Sequence, residues 1–118
     1  MNTTNPQWLS IPDVAEILGV TQRDVRNMLA DHRLIALRQG QSKALAISPL
    51  VLVEKDGATE VLASLRGTLI TLFDAGYSEE EAWAWLTAES PELSATPIEA
   101  LRSGRVHVVR RLAATLAF

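Results

Sequence analysis

The chain has 118 residues and is 47% hydrophobic, which is one domain's worth of sequence and too apolar for a disordered polymer. It contains no cysteine, which excludes disulfides and cysteine-held metals and suits a reducing cytosol. The formal net charge of −3 weighs against nucleic-acid binding by the chain as a whole, but the charge is unevenly distributed. Residues 1–48 hold five bases against four acids, residues 49–101 two against ten, and residues 102–118 four arginines and no acid. No apolar run approaches the roughly 20 residues that span a bilayer. The stretch from Met1 to Gln7 has neither the basic flank nor the apolar core of a secretory signal. A cytoplasmic location with no membrane partner is the expectation.

Residues 1–9 read as a flexible tail without periodicity, with Trp8 and Leu9 folding back onto the core. Ser10 or Ile11 caps a helix that opens at Pro12, since proline suits the first helical position. Val14, Ala15, Ile17 and Leu18 supply its apolar face, and Gly19 ends it. Thr21 caps a second helix, with Asp24 at the capping-box position. Val25, Met28 and Leu29 form the buried side of that helix, and Gln22, Arg23, Arg26 and Asn27 the other. Residues 34–38 and 43–47 then read as two strands around the turn Gln39-Gly40-Gln41-Ser42, which makes a β-hairpin. Residues 50–53 suggest a further strand and Lys55-Asp56-Gly57 a turn.

From Thr59 the pattern predicts a long helix to about Ala75, with Gly67 marking a break or a close packing contact. Ser78 with Glu81 forms a capping box for a helix to about Thr87 whose inward side is Ala82, Trp85 and Leu86. Trp83 and Trp85 are two apart, so one is expected in the core and the other at the surface. Residues 89–96 form a loop, Pro97 opens a short helix, and residues 106–116 make the last one. The domains expected are therefore the tail 1–9, a winged helix-turn-helix at 10–57 and a helical domain at 58–118. The fold class is mainly α with a small β-hairpin wing.

Residues 12–30 carry the chemistry. Two short amphipathic helices joined by Gly-Val-Thr present polar side chains at the start of the second helix, the end that enters the major groove in a helix-turn-helix. Arg23 and Arg26 suit bidentate pairing with guanine, Gln22 and Asn27 pairing with adenine. Thr21 and the helix-start amides suit a phosphate. Arg38 and Lys43 flank the hairpin turn and suit phosphate or the minor groove. Against this stands the plain alternative that two packed helices need a polar outer face whatever they do. His32 and His107 are lone histidines outside any metal spacing, and Glu79-Glu80-Glu81 suits a helix N-terminus. Arg105, Arg110 and Arg111 are a second basic cluster. No nucleophile–base pair, phosphate loop or metal cluster stands in the sequence, so neither an enzyme, a cofactor nor a metal is expected.

The run Ile11-Pro12-Asp13-Val14-Ala15-Glu16-Ile17-Leu18-Gly19-Val20 and the hairpin after it resemble the winged helix-turn-helix of MerR-type and excisionase-type proteins. Residues 65–77, Trp85-Leu86, residues 97–101 and residues 109–118 are similar to a family of small actinobacterial DNA-binding proteins that includes a mycobacterial substrate of a serine/threonine protein kinase. The resemblance spans residues 10–118. It implies a winged helix-turn-helix followed by a helical domain, double-stranded DNA as ligand, and transcriptional regulation. It also implies a kinase as partner and phosphorylation of a tail threonine, for which Thr3 and Thr4 are the candidates. A homodimer on a two-half-site operator is the usual route to useful affinity. The alternative function is a protein-interaction adaptor, favoured by the acidic middle segment and by a likeness of residues 97–118 to the toxin-binding region of some antitoxins.

Overall fold

A computed structural model describes residues 7–116. Ser10 starts the first helix, α1 (Ile11–Leu18): its hydroxyl accepts the Asp13 N–H and the Asp13 carboxylate accepts the Ser10 N–H, both at 3.1 Å. Ile11, Val14 and Ala15 are the buried side, whereas Ile17, expected inward, is 43% exposed. Gly19 stops the helix at φ +72°, a conformation that an L side chain resists. Thr21 caps α2 (Gln22–Ala30) through a second capping box with Asp24, and Val25 is the wholly buried residue of that helix.

The hairpin after α2 is shorter than expected. β1 (Leu37–Gln39) pairs antiparallel with β2 (Ala44–Ala46) in the register Leu37↔Ala46, Arg38↔Leu45 and Gln39↔Ala44. Leu34, Ile35 and Ala36 lie outside the ladder, all buried. Their side chains point into the core without alternation, so burial rather than pairing accounts for the apolar run. Leu9 exchanges two backbone hydrogen bonds with Ile47, at 2.8 and 2.7 Å, which ties the end of the expected tail to the foot of the wing.

A single 3-10 turn (Pro49–Val51) leads into a second hairpin. β3 (Leu52–Lys55) pairs with β4 (Ala58–Val61), and β4 packs against α1. This corrects the long helix expected from Thr59. Asp56 and Gly57 both take positive φ, +54° and +81°, the geometry of a two-residue turn whose twist matches paired strands. Thr59 caps nothing; its hydroxyl donates to the Glu54 carboxylate across the hairpin at 3.2 Å.

The chain divides after Val61 into two compact units. The second holds α3 (Leu65–Asp74), α4 (Glu79–Thr87), α5 (Pro97–Arg102) and α6 (Val106–Ala114), packed as the neighbours α3–α4, α4–α5, α5–α6 and α6–α3. Ser78 with Glu81 and Thr96 with Glu99 close capping boxes on α4 and α5. Leu65, Leu69, Leu72, Leu86, Val109 and Ala113 are wholly buried. Gly67 is a packing contact and not a break: a Cβ there would lie 2.8 Å from Nη1 of Arg110 on α6.

The tryptophans exchange the expected roles, Trp83 being buried at 9% exposure and Trp85 half-buried. At about 100° per residue, both flank the Ala82–Leu86 stripe by nearly equal angles, so helical spacing alone gives no preference. Thr68 is wholly buried, and its hydroxyl has no hydrogen-bond partner among the described residues. Thr68→Val keeps the shape and removes that oxygen, so it should raise unfolding stability by about 1 kcal/mol. Leu69→Ala should lower stability by about 2–5 kcal/mol. Urea denaturation of both variants tests this packing, and a destabilised Thr68→Val would show that the hydroxyl is satisfied.

Candidate nucleic-acid interface

The turn between α1 and α2 is held by main-chain bonds. The Gly19 N–H donates to the Glu16 carbonyl at 3.2 Å and the Val20 N–H to the Ala15 carbonyl at 2.9 Å. The chain then enters α2 through Thr21, whose hydroxyl accepts the Asp24 N–H at 3.0 Å while the Asp24 carboxylate accepts the Thr21 N–H at 2.9 Å. With Val25 anchored in the core, positions 23, 26 and 27 turn away from it, whereas position 22, three residues before Val25, lies nearer its side in the first turn. Gln22, Arg23, Arg26 and Asn27 are all exposed, the last three on one face. No hydrogen bond or ion pair among the described residues ties the guanidinium of Arg23 or Arg26.

Asp24 changes what the start of α2 can do. The backbone N–H and then the hydroxyl of Thr21 hold its carboxyl below the usual carboxylate range, with Arg23 and Arg33 adding to the effect. The helix N-terminus therefore already carries an anion. A phosphate at Thr21 meets a hydroxyl donor beside a carboxylate and not an empty anion site, which weakens the expected role of the helix-start amides.

The wing brings its two basic residues together. Nη1 of Arg38 donates to the Lys43 carbonyl at 2.9 Å, closing the hairpin tip, and Lys43 takes φ +59°. Arg38 thus has part of its donor fork engaged within the wing, while both residues remain exposed. Arg33, just past α2, lies outside the motif and so escapes a motif-based search. Its Nε reaches Asp31 at 2.9 Å in an exposed ion pair, a local pair that offsets its charge. The β3–β4 hairpin also lies beside the motif, signalled in the sequence by Asp56-Gly57. Thr3 and Thr4 lie outside the described residues. Among the described residues no group of acids and histidines is arranged to hold a metal, and no helix is long and apolar enough to cross a membrane.

Residues 3–47 match a family model described as the winged helix-turn-helix domain of the DNA-binding protein Rv2175c. Residues 62–117 match the model of the Rv2175c C-terminal domain of unknown function. The chain is 31% identical over 120 residues to the DNA-binding protein Rv2175c of Mycobacterium tuberculosis, covering 92% of this chain and 79% of that protein. The chain belongs to the Rv2175c family. The solved NMR structure of Rv2175c superposes with a TM-score of 0.83 at 28% identity, covering all of this chain and 86% of that one. The family is one of small actinobacterial winged helix-turn-helix proteins, as the resemblance implied, and the fold class follows it: a winged helix-turn-helix and then a helical region.

In this Rv2175c-family chain the Thr21–Asp24 box makes the start of α2 sensitive to acid. Because the folded carboxyl titrates below its unfolded value near 3.8, its contribution to stability is present above that value and is lost as pH falls through the lower folded value. Asp24→Asn removes the titrating group. Thermal melts from pH 7 to pH 3 should show a gap between wild type and variant that is constant at neutral pH and closes on acidification; a gap independent of pH would contradict the assignment.

Proposed function

We propose that this protein binds double-stranded DNA and regulates transcription, with α2 reading base edges in the major groove and the β1–β2 wing contacting phosphates. The observation that carries this is the exposed surface of α2: two arginines and an asparagine turned away from buried Val25, with an exposed glutamine in the first turn. Arginine pairs in bidentate fashion with guanine, and asparagine or glutamine with adenine, in the groove that admits a helix. The name of the M. tuberculosis relative, a DNA-binding protein, supports the same ligand. Thr21, Gln22, Arg23, Arg26 and Asn27 are assigned to this contact, with Arg38 and Lys43 on the backbone.

One such helix reads few bases, so two copies on half-sites about 34–36 Å apart complete the scheme. It operates in the cytoplasm and uses no cofactor. Phosphorylation of Thr3 or Thr4 by a serine/threonine kinase, implied by the family resemblance, would add roughly −1.5 to −2 charge to a chain that must approach a polyanion.

A second reading, a protein-interaction adaptor, draws on a feature of the helical unit. Trp85, Pro97, Leu112 and Leu116 line a cavity of about 280 Å³ together with Glu89 and Glu92. Trp83 is buried and offers no surface for this role.

Fluorescence-anisotropy titration with random-sequence duplex at low and near-physiological salt tests the proposal. Wild type should bind in a salt-sensitive manner, and Arg23→Ala/Arg26→Ala should bind at least about tenfold more weakly. Thr3→Glu/Thr4→Glu should shift binding in the same direction by less. Absence of binding at low salt would overturn the proposal in favour of the adaptor.

A further inference from the structure

Four of the chain's basic residues fall after Leu101 with no acid among them. On α6 the buried positions are Val109 and Ala113, which places His107, Arg110 and Arg111 together on the outer side, all exposed. No ion pair among the described residues engages Arg110 or Arg111. The acids of the same unit lie on other segments: Asp74 ends α3, Glu79, Glu80 and Glu81 begin α4, Glu89 and Glu92 lie in the following loop, and Glu99 is bound into the α5 capping box. Arg105 is placed differently, since its Nη1 donates to the Leu93 carbonyl at 2.9 Å.

Arg110 is also seated. Its guanidinium lies over Gly67 of α3, where a Cβ would come within 2.8 Å of Nη1 and 2.9 Å of Cζ. A side chain held against a neighbouring helix has less rotamer freedom left to lose when it meets a ligand. The absence of a side chain at position 67 leaves the room against α3 that this guanidinium occupies.

The DNA-binding unit is short of cations. Residues 1–48 hold five bases against four acids, Arg33 is paired with Asp31, and Arg38 is partly engaged at the wing tip. Tight, salt-sensitive DNA binding typically rests on something like six to ten phosphate contacts. We propose that the outer face of α6, through Arg110 and Arg111 with His107 beside them, is a second phosphate-binding surface that grips the duplex backbone. The C-terminal unit then contributes affinity without base readout. This inference rests on the DNA-binding reading of α2. A plainer role for Arg111 also exists, since a cation in the last turn of a helix stabilises it through the macrodipole.

The test is the salt dependence of binding to one random-sequence duplex by the full chain, as wild type and as Arg110→Gln/Arg111→Gln, with melting temperature measured alongside. Each lost phosphate contact lowers the slope of log K against log salt by about 0.9, so the double variant should lose roughly two units of slope with Arg23 and Arg26 intact. Arg110→Lys/Arg111→Lys should keep the slope. Gly67→Ala, which retains both charges but displaces the Arg110 seat, should weaken binding by less than the double variant. Wild-type binding with an unchanged slope in the double variant would overturn this inference and leave the α2 reading standing. A lowered melting temperature with that unchanged slope would assign the arginines to helix stability. Failure of wild type to bind would overturn both.

Discussion

Gly19 at φ +72° returns the chain from α1 toward α2, and the Gly19 and Val20 amides are bonded back to α1 carbonyls. Because this turn is short and fully bonded, the angle at which α2 leaves it is set by main chain and not by side-chain packing alone. The Thr21–Asp24 box then fixes where α2 begins, and Val25 fixes its rotation about its own axis. Once those three constraints hold, Arg23, Arg26 and Asn27 have only one side on which to stand, with Gln22 exposed in the first turn. The polar face of α2 is therefore a consequence of backbone geometry one turn upstream. Replacing the glycine would act on it without touching any of its side chains.

The wing and the helical unit follow a similar logic of local closure. In the wing, Leu9 pairs with Ile47 at the foot and Arg38 bonds the Lys43 carbonyl at the tip, so a ladder of three residue pairs is secured at both ends. In the helical unit, four short helices carry a core of leucines, and Gly67 allows α6 to bring Arg110 against α3. Most of that unit's acids gather at the start of α4 and in the loop after it, while α6 carries none. A protein of net charge −3 can thus present cations on chosen faces without becoming basic as a whole.

The helices of the first unit were legible because their boundaries are written in strong local chemistry. Ser10, Pro12, Gly19, Thr21 and Asp24 each act within one turn of their own position, and the Ser78–Glu81 box is legible for the same reason. The stretch from Thr59 to Val61 was not legible. Thr59 followed by apolar residues satisfies a helix-start pattern, and what makes it a strand is its pairing with residues 52–55, a non-local fact. The Asp56-Gly57 turn pointed the other way, and turn chemistry outweighed the cap. Trp83 and Trp85 were symmetric about the α4 stripe, so only tertiary packing could separate them. The candidate residues on α2 were readable from helical spacing. The bond from Arg38 to Lys43, the Arg33–Asp31 pair and the seat of Arg110 on Gly67 depend on side-chain geometry that no spacing encodes.

The central claim is that the exposed face of α2 is where DNA lies. Its most direct test is a map of backbone amide NMR shifts of the full chain titrated with a short duplex. The account predicts that the largest shifts fall on residues 21–27 and at the wing tip around residues 38–43, with the buried core of α1 unmoved. Shifts that leave α2 untouched and gather instead around Trp85 and the loop after α4 would contradict it.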